Sequence, residues 1–241
     1  MKVEKFKPSK AFTKIRRKLS KLIYEADKFE NHFNVPIKFG PQGIRAVNER
    51  IIEVPFVLSH VQGEKLKILD FGCTRSWISL SLASSGHKVY GVDLRDYNFK
   101  HKNFTFHKGD ILNFDQRDFD IVICLSTLEH IGLGAYGEDY NPQVLRDVIQ
   151  KIYKILKATG VLILTLPVGV SSVDDFERSF APEEIIELIT QANFELKKER
   201  YFYRRNGKEW LACFKEVIKK IHNDFESRRE YGSGVNGIGC F

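Results

Sequence analysis

Between Lys65 and Tyr203 the chain alternates short apolar runs with amphipathic stretches, and this alternation constrains its fold more than any other feature. Lys65–Phe71, Lys88–Val92, Phe119–Leu125 and Gly160–Leu166 are rich in Val, Ile and Leu, the pattern of strands buried on both faces. Asn103–His107 is a weaker run of the same kind. The clearest helical stretch opens with Asn141 as N-cap and Pro142 at the first position. It continues through Leu145, Val148, Ile149, Ile152, Ile155 and Leu156 and stops at Gly160. Another opens with Pro182, Glu183 and Glu184 and closes near Asn193. Such alternation predicts an α/β fold, a doubly wound and mostly parallel sheet with helices on both faces.

The flanks read differently. Residues 1–62 are expected to form a helical N-terminal extension. Phe12, Ile15, Leu19, Leu22 and Ala26 recur at helical steps behind Ser9 as N-cap, and a second helix is expected over Ile44–His60, bent or broken at Pro55. Residues 63–241 then form the main domain, with an insertion over about 206–233 in which Trp210, Phe214, Val217, Ile221 and Phe225 suggest a helix.

Charge separates the parts further. Residues 1–22 carry nine Lys or Arg against Glu4 alone, a local charge of +8 that leaves the other 219 residues at −1 of the net +7. A near-neutral body with 43% apolar and 29% charged residues is neither disordered nor fibrous. No run approaches the roughly 18 apolar residues of a membrane span. Cys73, Cys124, Cys213 and Cys240 form no CxxC pair, which argues against a zinc or disulfide framework. A soluble cytoplasmic protein is the expectation.

In a doubly wound sheet, ligands bind beyond the carboxyl ends of the strands. Those ends read Asp70-Phe-Gly72-Cys-Thr74-Arg-Ser76, then Asp93, then Gly109-Asp110-Ile111, then Ser126-Thr-Leu-Glu129-His130. A dinucleotide fingerprint would need Gly at 72, 74 and 77, and only Gly72 is present, so NAD and FAD are disfavoured. A nucleoside carrying an amino acid needs instead carboxylates for an ammonium, for ribose hydroxyls and for an exocyclic amine, and successive strand ends supply three.

Residues 67–167 resemble the core of class I S-adenosylmethionine-dependent methyltransferases, with four motifs in order and spacing: Lys-Ile-Leu-Asp70-Phe-Gly72-Cys, Val-Tyr-Gly-Val-Asp93, Gly109-Asp110-Ile111, and the run from Phe119 to His130. The resemblance implies a Rossmann-like, seven-stranded sheet and S-adenosylmethionine as cofactor. Asp70 would face the methionine end beside Gly72, Cys73 and Thr74. Asp93 would take the ribose hydroxyls with Leu94 adjacent, and Asp110 the adenine amine beside Ile111. Leu125 and Ser126 would line the sulfonium side. The family's loop usually has two further glycines where this chain has Thr74 and Ser76.

The resemblance places His130 as the base for a hydroxyl acceptor. Relatives with Glu-x-x-Glu-His bind magnesium, but Ser126 replaces the first carboxylate, and no metal is expected. An Asn/Asp-Pro-Pro-aromatic signature is missing, so nucleic acid is a disfavoured acceptor. A softer resemblance to bacterial-type glycan and secondary-metabolite methyltransferases favours O-methylation of a small hydroxylated molecule. Two alternatives stand beside it. One is a cofactor-binding but catalytically silent module. In the other, residues 1–22 dock on nucleic acid or an anionic membrane; a helix face packed on the core is the favoured reading of that segment.

Overall fold

The computed structural model describes residues 39–40, 43–44, 48–74, 76–206, 209–224 and 234–241. The expected helix over Phe12–Ala26 and the basic segment 1–22 lie outside the described residues. The main elements are α1 (Arg50–His60), β1 (Lys67–Phe71), α2 (Ile78–Ser84), β2 (Lys88–Asp93), β3 (Phe104–Lys108), β4 (Phe119–Leu125), α3 (Val144–Ile155), β5 (Leu156–Pro167), α4 (Pro182–Gln191), β6 (Arg200–Arg205), β7 (Glu209–Cys213), α5 (Lys215–Ile218) and β8 (Gly237–Cys240).

One sheet takes all eight strands in the order β7-β6-β8-β5-β4-β1-β2-β3. From β3 to β5 neighbours run parallel, whereas β8 is antiparallel to both β5 and β6. The order reverses between β1 and β4, which opens a crevice beyond their carboxyl ends. Alternate residues serve opposite faces. Leu69, Val122 and Leu164 join a core with Leu145, Val148, Ile149 and Ile152 of α3 and with Ile185 and Ile189 of α4. Ile68, Ile121, Ile123 and Ile163 point the other way, into a core with Val57 of α1 and with Ile78 and Leu82 of α2. The central runs read as continuously apolar because both of their faces are covered.

The doubly wound Rossmann-like expectation is met, but the sheet has eight strands rather than seven. The additional strand, β7, pairs antiparallel with β6 where a helix was expected from Trp210. Trp210 packs instead against Val235, Ile238 and Cys240, and only Lys215–Ile218 is helical; Phe225 lies outside the described residues. Three boundaries also differ. α1 starts at Arg50, Ile44 belongs to a two-residue ladder, and the helix runs through Pro55. α3 starts at Val144, since Asn141 and Pro142 form the preceding turn. β5 begins at Leu156, directly after α3, with a register shift in its pairing to β4 between Phe119 and Ile121.

Among the described residues no helix is long and apolar enough to cross a membrane. The four cysteines are free.

Candidate active site at the strand ends

Asp70, at the end of β1, is 1% exposed and accepts a 2.6 Å hydrogen bond from Ser79 Oγ of α2. Burial raises its carboxyl to about 6, against the pull of that hydrogen bond. The chain then turns sharply at Gly72. Its φ is +77°, its N–H donates to the Val92 carbonyl, and a Cβ there would stand 2.2 Å from Thr127 Oγ1. Glycine is therefore required both for backbone angle and for the approach of Thr127. Cys73 is buried with its sulfur against Gly91, where a Cβ would come within 2.7 Å, so its side chain fills core space. Burial also raises its thiol well above the usual range. Thr74 donates its N–H to Asp93 Oδ2 at 2.9 Å, while its hydroxyl is buried without a hydrogen-bond partner.

Asp93 closes β2 and is 6% exposed. Its Oδ1 accepts from Arg95 N–H at 2.9 Å and Arg95 Nε at 3.1 Å, and its Oδ2 accepts from Arg95 Nη2 at 3.2 Å as well as from Thr74. Burial alone would raise this carboxyl; the hydrogen bonds and charge of Arg95, with the Thr74 amide, hold it below the ordinary value. The next residue, Leu94, is 39% exposed, an apolar side chain at the crevice rim. Asp110 follows β3 and is exposed, accepting the Leu112 N–H at 2.9 Å as cap of the turn Ile111–Asn113; Ile111 is buried. The Gly109 N–H donates to the Asp93 carbonyl, which brings these two strand ends together.

Beyond β4, Leu125 is buried and Ser126 takes a left-handed φ of +43°. Ser126 Oγ donates to Glu53 Oε1 at 2.5 Å, and Thr165 Oγ1 of β5 donates to the same oxygen at 2.7 Å. Glu53 comes from α1, is fully buried, and pairs through Oε2 with Arg50. Glu129 is 1% exposed and its Oε2 has no hydrogen-bond partner. Burial, reinforced by Glu53 and Glu177, pushes its carboxyl well above the usual range. His130 Nδ1 lies 2.8 Å from the Phe176 carbonyl, which can only accept. Nδ1 is therefore the donor of that hydrogen bond, and Nε2 lies 4.0 Å from Glu129 Oε1.

Glu53, Arg50 and Arg95 were not anticipated. Glu53 had one signal, a carboxylate one helical turn before Val57 on the face that meets the core. Charge on such a face demands partners, and Ser126, Thr165 and Arg50 are those partners.

The donor and acceptor set fits an amino-acid-bearing nucleoside. Three carboxylates stand at successive strand ends, and an orphaned hydroxyl, that of Thr74, lies next to the second of them. Comparison with known proteins agrees. Residues 69–164 match the family model described as a methyltransferase domain. These residues therefore carry a methyltransferase domain.

Curated relatives include proteins named ubiquinone biosynthesis O-methyltransferase. That of Rickettsia felis is 28% identical over 232 residues, covering 84% of this chain and 89% of the relative. That of Rickettsia typhi is 28% identical over 153 residues, covering 56% of this chain and 62% of the relative. The O-antigen chain terminator bifunctional methyltransferase/kinase WbdD of Escherichia coli is 30% identical over 151 residues, 54% of this chain but 19% of that longer protein. In fold, the methyltransferase resembles an Archaeoglobus fulgidus SAM-dependent methyltransferase with a TM-score of 0.54 at 18% identity, covering 80% and 93% of the two chains.

Proposed function

We propose that this chain transfers the methyl group of S-adenosylmethionine to a hydroxyl oxygen of a small acceptor. The observation that carries this reading is the convergence of Ser126, Glu129, His130 and Glu53 at the end of β4, next to the carboxylates that end β1 and β2. The names of the relatives, O-methyltransferases among them, support oxygen as the receiving atom.

The cofactor supplies a methyl group already activated by a sulfonium leaving group. The protein's task is alignment and proton removal. Asp93 would accept from the ribose hydroxyls and Asp110 from the adenine amine, with Leu94 and Ile111 beside the base. Asp70 would face the methionine end, over the turn of Gly72, Cys73 and Thr74, and Leu125 with Ser126 would line the transfer point. His130 Nε2 would take the acceptor's proton, because Nδ1–H is committed to Phe176. Residues 50–60 belong functionally with 63–241 in this reading, since Glu53 braces Ser126. The cytoplasm is the proposed location, and a small molecule rather than nucleic acid the proposed partner.

The test offers methyl-labelled cofactor with catechols, phenols, sugars, RNA and peptides as separate acceptors. Label is expected on a hydroxylated small molecule, and His130→Gln should lower transfer by about 10²–10⁴-fold, the usual contribution of a general base. Label on RNA or peptide alone would refute the acceptor class. Tight cofactor binding with no transfer in any arm would favour the silent module.

A further inference from the structure

Asp93, the carboxylate read above as the ribose acceptor, is not waiting open. Arg95 folds back two residues along the chain and reaches both of its oxygens, Nε to Oδ1 at 3.1 Å and Nη2 to Oδ2 at 3.2 Å. This fork is the strong, planar form of a guanidinium–carboxylate pair. The outer face of the same guanidinium lies 4.3 Å from the centre of the Tyr136 ring, in cation–π contact. Tyr136 in turn meets the His130 ring edge-on at 5.4 Å and Phe176 at 5.7 Å, and His130 and Phe176 meet at 4.7 Å. The Tyr136 segment is pinned by Glu138, whose carboxylate accepts the Gly134 and Tyr136 amides at 3.1 and 2.9 Å. A continuous set of contacts thus runs from Asp93 through Arg95 and Tyr136 to His130.

Two vicinal hydroxyls and a forked guanidinium make the same demand on one carboxylate, and both cannot be met at once. We propose that Arg95 is a positioning residue that cofactor ribose displaces from Asp93, so that cofactor binding releases Tyr136 and resets the aromatic wall around His130. The order of events follows from the geometry. Cofactor binds first, and the acceptor side takes its working form afterwards. The guanidinium acts on His130 through Tyr136.

The inference rests on the proposed cofactor site, and the experiment separates the two. S-adenosylhomocysteine is titrated by calorimetry into the full chain and into Asp93→Asn, Arg95→Ala and Tyr136→Leu, while NMR follows the His130 ring proton. Asp93→Asn should bind at least tenfold more weakly, as loss of a charged hydrogen-bond acceptor implies. Arg95→Ala should bind about tenfold more tightly, the gain expected if Arg95 holds the site closed in about nine of ten molecules. Tyr136→Leu leaves the fork but removes its stacking partner, together with the ring that meets His130 and Phe176, and should bind about two- to threefold more tightly. The His130 resonance should move on ligand addition in the natural chain and stay nearly still in Arg95→Ala. Weaker or unchanged binding by Arg95→Ala, or an equal His130 shift in both proteins, overturns the role of Arg95. Unchanged binding by Asp93→Asn overturns the cofactor-site reading itself, whatever Arg95 does.

Discussion

At the residue scale the site is held in an unfavourable state that a ligand would relieve. The Thr74 hydroxyl is buried without a partner, and such a group destabilises a fold by about 1–3 kcal/mol. Thr74→Val keeps the shape and removes the orphan. The free variant should resist urea better by about 1 kcal/mol, and S-adenosylhomocysteine affinity should fall if the hydroxyl serves the cofactor; a less stable variant would show that the hydroxyl already has a use in the fold. Asp70 carries a related penalty. Its carboxyl is raised from 3.8 to about 6, mainly by burial. Because the native form holds its proton more tightly than the unfolded chain, this group favours folding at low pH, and that advantage is lost as pH rises from about 4 through 6. The full difference corresponds to about 3 kcal/mol. Asp70→Asn, which can still accept from Ser79, should flatten that part of the stability profile and be no less stable at pH 7.5. A variant that keeps the natural slope would assign it to another group. None of this burial was legible in the sequence, which places Asp70 and Asp93 at strand ends but does not show that Ser79 or Arg95 would reach them.

At the element scale, α1 is tied to the sheet ends by one carboxylate. Glu53 accepts from Ser126 and Thr165, beyond the helix, and pairs with Arg50 of the same helix, which runs on through Pro55. Glu53→Ala would leave three donors without their acceptor, and a loss of about 3–5 kcal/mol in chemical denaturation is expected. The double variant Arg50→Met, Glu53→Leu removes both charges and should recover much of that loss. Equal destabilisation by the single and double variants would mean that packing, not charge, makes the contact. β4 was readable because both of its faces are covered, and α3 because Leu145, Val148, Ile149, Ile152 and Ile155 form one regular stripe toward the core. β7 was not, for Trp210, Phe214 and Val217 stand at spacings a helix would also use, and a short edge strand shows only one covered face. Similarly, the helix expected to bend or break at Pro55 runs through it, and the distant partners of Glu53 are ones that periodicity cannot reveal.

At the scale of the whole molecule, both cores share the central strands, so a ligand held at the ends of β1 and β2 stabilises the unit that orders everything else. A ligand that binds only the folded form at a hundred times its dissociation constant adds about 2.7 kcal/mol. For a chain of 241 residues each kcal/mol moves the melting temperature by about 2–4 °C, so S-adenosylhomocysteine at that excess should raise Tm by roughly 5–10 °C. Asp93→Ala loses the ribose acceptor and, binding at least tenfold more weakly, should show about half of that rise or less at the same concentration. It also leaves Arg95 without its carboxylate, so its own Tm should fall before any ligand is added. The ligand-induced rise, not the starting Tm, is therefore the quantity to compare between the two proteins. A full rise in Asp93→Ala would place the ribose elsewhere and remove the carboxylate from the binding account, even if the natural chain binds well.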